Sequence, residues 1–391
     1  MQDAGYSARL PEPFATWARA SWDSGTFHGR RWARLFPATF VQRVSHFAER
    51  LQRPELAVSA ASTPEGSRVV FAGNDAQLRD VLFAAFDCAD VESEQRVPAR
   101  SALQRDFAAE VEFIEVDAAQ ARSLSRRGWL ILPRWVEFEI DLLKPERELW
   151  DARKRESVRR IEREGFELEV CRDEAAAREF HDEMYAPTAR IRHGPRAFVR
   201  RWGYVERAAR RGHLVFVRQA GQRKAGLLLV PRGGSRSVDA WLFGVRDGVY
   251  AESRLAREAV YLHALRWARD RLGARGFGLT AGPPLLRDGL VRFKKRWGAQ
   301  ALPGARHGTA FAMRVHHGTP ELAAVLEQKP LIGLSWESAA PRLCAPVPRL
   351  AHQPRVHSSP LPGVLVRELE LAVAEELPER WDAYARAAAA Y

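Results

Sequence analysis

One carboxylate stands where it could do chemistry. Asp239 interrupts the apolar stretch 237–243, whose composition is typical of a strand. A carboxylate inside an apolar strand is costly unless it is paired. Burial would make it a stronger base, suited to removing a proton, whereas a salt bridge with an arginine would give it a structural role. Both interpretations stay open from the sequence.

Other familiar catalytic patterns are missing from the sequence. It contains no G-x-S-x-G, no H-E-x-x-H and no G-x-x-x-x-G-K-[ST], so serine hydrolases, zinc proteases and P-loop proteins have little support. Cys88, Cys171 and Cys344 stand far apart and lack the spacing of zinc ligands. We therefore expect no metal site, and we expect the three cysteines to be buried, reduced side chains.

The chain is strongly basic, with 61 Lys and Arg against 49 Asp and Glu and a net charge of +12. Such a surface attracts polyanions, although an arginine-rich composition can also come from the base composition of a genome. Two groups of arginines on predicted helices could contact phosphates, or could simply form solvated helix faces. They are Arg155, Arg159 and Arg160 in the first group and Arg200 and Arg201 in the second.

Length and composition indicate the class of protein. A chain of 391 residues is typical of two domains, and a hydrophobic fraction of 46% excludes global disorder. No run of 18 apolar residues occurs, and the N-terminus lacks the pattern of a secretory signal. These features predict a cytoplasmic protein without a transmembrane segment.

The elements that would position a site are clearest in the middle of the chain. Over 166–316, the patterning predicts the order β-α-α-β-β-β-α-β-α-β, which combines an antiparallel meander with one β-α-β crossover. A charged helix is predicted over 144–165, and a helix interrupted near Pro187 over 173–192. The sequence thus predicts an α/β fold with a mixed sheet.

The ends of the chain are organised differently. Residues 32–52 have helical spacing, and 56–61, 68–73 and 111–117 are typical of strands. The proline-rich stretch 339–363 predicts an extended surface linker, followed by an edge strand at 364–371 and a terminal helix. We therefore divide the chain into 1–143, 144–338 and 339–391.

Three stretches resemble the FemABX-type peptidyltransferases and the CelD-like acetyltransferases of the GNAT superfamily. They are 133–142 (PRWVEFEIDL), 154–166 (KRESVRRIEREGF) and 288–299 (DGLVRFKKRWGA). The last is the most specific, because it closely matches the family pattern D-G-v-x-x-F-K-x-x-f-G. The resemblance covers about residues 130–318. It implies tandem GNAT-like domains, with a degenerate copy in 1–143 and the better defined one in 144–338.

The resemblance implies N-acyl transfer, in which an amine attacks an activated acyl group directly. The donor would be acyl-CoA, which we favour, or aminoacyl-tRNA, and no metal would be needed. The acceptor would be a small-molecule or lipid-linked amine, so a peripheral membrane contact and a tRNA partner both stay open. A non-catalytic polyanion-binding protein on a GNAT scaffold is the remaining alternative.

The resemblance also implies site residues. The family's Phe-Lys pair corresponds to Phe293 and Lys294, where the lysine would stabilise the oxyanion of the reacting carbonyl. Asp288 and Glu258 are carboxylates near the implied groove, and Tyr250 could protonate the leaving group. The phosphates of the donor would meet the start of a helix. The residues implied there are Arg246, Gly248, Ala251, Ser253 and Arg254, although the glycine spacing departs from that of CoA-binding members.

Overall fold

The computed structural model describes residues 55–88, 91, 93–194, 197, 199–232, 235–249, 253–303, 309–336, 341–350 and 361–390. The helix predicted over 32–52 lies outside these residues, as do Tyr250 and Ala251. Two mixed sheets with flanking helices make up the described part of the chain. The prediction of an α/β fold with mixed sheets is confirmed.

The first sheet joins strands from both ends of the described chain. Its nine strands run in the order β16-β15-β14-β5-β13-β4-β2-β1-β3. Among the described strands of this sheet, only the β2–β4 and β15–β16 pairs are parallel. The strands are β1 Glu55–Ser62, β2 Arg68–Ala72, β3 Ser93–Pro98, β4 Val111–Asp117, β5 Leu130–Pro133, β13 Thr309–Val315, β14 Gly333–Ser335, β15 Arg342–Leu350 and β16 Val364–Leu371.

The second sheet includes the strand at 136–141, which lies within the first of the three motifs. Its seven strands run in the order β12-β6-β11-β10-β9-β8-β7. All neighbours are antiparallel except β10 and β11. The strands are β6 Val136–Asp141, β7 Glu167–Cys171, β8 His213–Gln219, β9 Gln222–Pro231, β10 Ser237–Val245, β11 Gly276–Gly282 and β12 Gln300–Leu302.

Helices connect and cover the two sheets. Several begin at an aspartate whose carboxylate accepts a hydrogen bond from the first turn, among them the helices that follow Asp75, Asp151 and Asp288. The α-helices are α1 Ala76–Ala85, α2 Ala99–Ala102, α3 Ala118–Ser125, α4 Glu146–Leu149, α5 Ala152–Arg163, α6 Glu174–Glu179, α7 Ala186–His193, α8 Trp202–Arg211, α9 Arg254–Leu272, α10 Gly289–Arg296, α11 Pro320–Gln328 and α12 Leu377–Ala390. None of the described helices is long and apolar enough to span a bilayer.

Two helices differ from their predicted form in how their segments are divided. The charged helix predicted over 144–165 is two helices, α4 and α5, because buried Trp150 between them has extended backbone and Asp151 begins a new helix. The helix of 173–192 continues through Pro187, which lies near the start of α7. Its irregularity is a π-helical segment, Phe180–Tyr185, that precedes the proline.

The prediction of a surface linker over 339–363 is wrong for its described part. Residues 342–350 form β15, a largely buried strand between β14 and β16. Pro346 and Pro348 lie beyond the residues that pair with β14, so on that side no ladder hydrogen bond is required. The predicted edge strand at 364–371 and the terminal helix are confirmed.

The sheets group the strands in an order that differs from the order along the chain. β6, which precedes residue 144, belongs to the second sheet, whereas β13 to β16 return to the first. Residues 309–371 therefore complete the sheet that residues 55–133 begin. The division into folding units at 143 and 338 stays a prediction.

Candidate functional site

The two parallel strands of the second sheet separate at their carboxyl ends. β10 and β11 pair only at Ser237–Gly276, Val238–Phe277 and Asp239–Gly278. Both strands continue, β10 through 240–245 and β11 through 279–282, without pairing to each other. The facing edges of these segments therefore carry backbone groups without a strand partner, although the N–H of Val245 donates to Thr188 Oγ1 at 2.9 Å. The carboxyl ends of parallel strands are a common place for a ligand in α/β proteins. We call this opening the splay.

A bulge in β11 shapes one side of the splay. The register between β11 and β6 shifts between Gly278 and Ala281. Thr280 lies inside this bulge with a φ of 60°, a left-handed conformation that is strained for a β-branched residue. Such outliers persist only where the surroundings enforce them. Here the bulge directs two consecutive carbonyl oxygens, those of Thr280 and Ala281, towards one lysine.

That lysine is Lys294, which is only 1% exposed. Its Nζ donates hydrogen bonds to the carbonyl oxygens of Ala281 at 2.7 Å and Thr280 at 3.1 Å, and it lies 4.6 Å from the ring centroid of Phe138. Burial lowers the pKa of Lys294 to about 7, although nearby Asp288 acts in the opposite direction. Near neutral pH the side chain therefore exchanges between ammonium and amine, and the ammonium has a third N–H beyond these two bonds.

The D-G-(x)3-F-K pattern has a structural explanation. The Asp288 carboxylate caps α10 by accepting hydrogen bonds from the N–H groups of Leu290, at 2.7 Å, and Val291, at 3.2 Å. Val291 and Lys294 then lie on the buried face of α10 at i and i+3. Gly298 ends the segment with a φ of +77°, and a Cβ there would lie 2.5 Å from the carbonyl oxygen of Leu149. The pattern thus positions the lysine at the splay.

Aromatic rings connect β10 to α10. Phe243 of β10 stacks on Tyr261 of α9 with ring centroids 5.7 Å apart, and Tyr261 contacts Phe293 at 5.5 Å and Trp297 at 5.8 Å. Phe293 is half-buried and packs into this group, beside the turn that carries Lys294. The rings form an apolar cluster that includes Phe243, a residue of the part of β10 that does not pair with β11.

A second buried lysine lies against the same aromatic group. Lys154 of α5 is 6% exposed, its Nζ lies 3.0 Å from an oxygen of Glu258 on α9 and 3.3 Å from the ring centroid of Trp297. Ser157 donates a further hydrogen bond to Glu258. Burial lowers the pKa of Lys154 to about 8, partly offset by the carboxylate. This pair was not predicted from the sequence, although Lys154, Val158 and Ile161 share one helix face by their spacing.

Asp239 lies at the paired end of the two strands and is engaged in a salt bridge. Its Oδ1 lies 2.5 Å from Nη2 of Arg232, whose Nη1 contacts Glu139 at 2.8 Å. A Cβ at Gly278, its partner in β11, would lie 2.1 Å from Oδ1. Asp239 therefore takes part in a salt bridge with an arginine, which is one of the two interpretations left open by the sequence. The role of Asp239 as a base stays a prediction.

The loop between β10 and α9 holds the residues predicted to meet phosphates. Arg246 is paired with Glu179 and Glu183, and its Nε donates to the carbonyl oxygen of Arg223 at 3.2 Å. Gly248 has a φ of +69°, and a Cβ there would lie 2.6 Å from Ile191 Cδ1.

The start of α9 offers one exposed cation. Ser253 donates through Oγ to the carbonyl oxygen of Val249 at 2.6 Å, whereas Arg254 is exposed and lies 3.7 Å from Glu258. Arg246 would have to leave its carboxylates to contact a phosphate.

The arginines predicted to contact nucleic acid form two separate groups, one on α5 and one immediately before α8. Arg155 donates to the carbonyl oxygen of Trp150 at 2.6 Å, Arg159 pairs with Glu156 at 2.6 Å, and Arg160 is exposed on α5. Arg200 lies 5.1 Å from the ring centroid of Tyr204, and exposed Arg201 precedes α8. Their contact with a phosphate stays a prediction.

No protein-family model matches the sequence, and none of the curated proteins matches it. One similar solved structure is L-PGS from Bacillus licheniformis, at 13% identity and a TM-score of 0.37, over 68% of this chain and 87% of that chain. FemX is similar at 15% identity and a TM-score of 0.38, over 64% of this chain and 82% of that chain. A GCN5-related N-acetyltransferase from Sphaerobacter thermophilus is similar at 13% identity and a TM-score of 0.29, over 66% and 75%. At identities this low, the similarity assigns no chemistry to this chain, so its function is argued from its own residues.

Proposed function

We propose that this protein is an N-acyltransferase whose acyl donor lies in the splay between β10 and β11. The observation that supports this most is the separation of the two parallel strands beyond Asp239 and Gly278, beside a buried lysine with a near-neutral pKa. Unpaired strand edges can hold the amide groups of an extended donor arm by hydrogen bonds. The aromatic group would then shield the reacting carbonyl from water.

The reaction needs proximity, a developing oxyanion that is stabilised, and a path for one proton. The acceptor's nitrogen forms a bond to the acyl carbon, the carbon–sulfur bond of the thioester breaks, the amine loses its proton and the thiolate gains one. Lys294, as an ammonium, would place its third N–H towards the oxygen of the reacting carbonyl. Asp288 would favour the charged form of Lys294 through its own negative charge.

The donor is acyl-CoA in this proposal, and aminoacyl-tRNA is the alternative. Isothermal titration calorimetry with acetyl-CoA should show binding in the micromolar range, about −8 kcal/mol, with a stoichiometry near one. S-acetylpantetheine should keep most of this affinity, because Arg246 is held by Glu179 and Glu183.

Calorimetry also separates the alternatives. If acetyl-CoA gives no heat while an aminoacyl-tRNA binds and transfers its aminoacyl group, the donor assignment is wrong and the transfer chemistry stands. If neither donor supports turnover and binding of RNA falls steeply with salt, the protein is a polyanion-binding protein instead.

A further inference from the structure

An open cleft of about 750 Å³ lies on the outer side of α10. One wall is α10 itself, which contributes Arg292, Lys295 and Arg296. The opposite wall is the chain between the end of β6 and the start of α5. It contributes three carboxylates, those of Asp141, Glu148 and Asp151, together with Lys144. We call this the bipolar cleft, because its three carboxylates lie on one wall and three of its four cations lie on the other.

The basic wall follows from the register of α10. Residues 292, 295 and 296 are spaced i, i+3 and i+4 on one face, while Val291 and Lys294 occupy the buried face. Within the described part of the chain, neither Arg292 nor Arg296 forms a salt bridge with a carboxylate. Two exposed guanidinium groups without carboxylate partners therefore line a cleft of the size that small ligands occupy.

The carboxylates of the other wall are held by their own backbone. Asp141 accepts a hydrogen bond from the N–H of Leu143 at 3.0 Å, and Asp151 accepts one from Lys154 at 2.7 Å. These bonds fix the two carboxylates at the wall and leave acceptor capacity on each of them. A bound ammonium group could use that capacity.

We propose that the bipolar cleft binds a small zwitterion that carries a primary amine and a phosphate or carboxylate, as the acceptor of the acyl group. Guanidinium forks suit the anionic group through paired hydrogen bonds, and the opposite carboxylates suit the ammonium. Lys294 and Lys295 are neighbours on α10, so this helix faces both the splay and the cleft. The acceptor assignment rests on the proposed acyltransferase function, but the binding itself does not.

Calorimetry without an acyl donor tests this binding. The probe is O-phosphoethanolamine, with ethanolamine and methyl phosphate as its single-charge halves and β-alanine as the carboxylate counterpart. We expect one or both zwitterions to bind at least about tenfold more tightly than either half. In the double variant Arg292→Gln, Arg296→Gln, the affinity for the zwitterion should fall to the affinity for ethanolamine. Glu148→Gln should lower the affinity for the zwitterion more than the affinity for methyl phosphate. The control Arg122→Gln, at an exposed residue of α3, should change nothing.

Three results would overturn the proposal. They are equal affinity for zwitterion and halves, an unchanged affinity in the double variant, and no binding of either zwitterion up to about 10 mM. Thiol release from acetyl-CoA distinguishes this failure from failure of the proposed function. If ethanolamine and phosphoethanolamine are turned over with equal KM, the acyltransferase function is supported and the acceptor site in the cleft is overturned. If the zwitterion binds but neither donor gives turnover, binding in the cleft is supported and the acyltransferase function is overturned.

Discussion

Replacing Lys294 with methionine should lower kcat for acyl transfer by about 10²- to 10³-fold, with a much smaller change in the affinity for the donor. A fixed cation beside a developing oxyanion commonly contributes an effect of this size. Methionine fills nearly the same volume on an unbranched chain, so no large cavity forms in place of the buried side chain. The carbonyl oxygens of Thr280 and Ala281 lose their donor, at a cost of roughly 1–3 kcal/mol each.

Thiol release from acetyl-CoA measures the rate, and circular dichroism shows whether the variant is folded. Lys329→Met is the matched control, because Lys329 pairs with Asp87 beside the first sheet and takes no part in the site. It should keep the rate of the native protein. A folded Lys294→Met protein with native kcat would remove Lys294 from the mechanism.

The stability of the native protein should rise with pH between about 7 and 9 more steeply than that of the Lys294→Met variant. Burial lowers the pKa of Lys294 to about 7, well below its usual range. The unfolded chain therefore binds more protons than the folded one above pH 7, and in that window folding becomes more favourable as pH rises. For this shift, the free energy of unfolding of the native protein should rise by about 2 kcal/mol more than that of the variant between pH 7 and pH 9.

Urea unfolding of both proteins across this range measures the effect as the free energy of unfolding. Lys154, whose pKa is lowered to about 8, contributes a slope of the same sign to both proteins, so it cancels in the difference. Parallel curves would mean that Lys294 has an ordinary pKa and is accessible to water.

Much of the fold could be predicted because the relevant signals are local. The stretches 68–73 and 111–117 are typical of strands, and β2 and β4 form at those positions. Lys294 could be selected because its motif is compact and lies on one helix.

The rest depends on contacts between segments that are distant in sequence. Nothing local in 342–350 distinguishes a buried strand from a proline-rich linker, since the strand exists only by pairing with β14 and β16. The Lys154–Glu258 pair joins two helices that are about a hundred residues apart in sequence. Because Lys154 stands among other charged residues of α5, its burial could not be predicted from that helix alone. The engagement of Arg246 by Glu179 and Glu183 is likewise a tertiary contact.

Hydrogen–deuterium exchange with and without acetyl-CoA tests most directly whether the splay holds the donor. We expect the amides of 240–244 and 279–282 that do not pair within the sheet to be protected when acetyl-CoA binds. The amides of 237–239 and 276–278, already at the paired end, should change little. Protection confined to other segments, at a concentration where calorimetry shows acetyl-CoA bound, would contradict the assignment of the splay as the donor site.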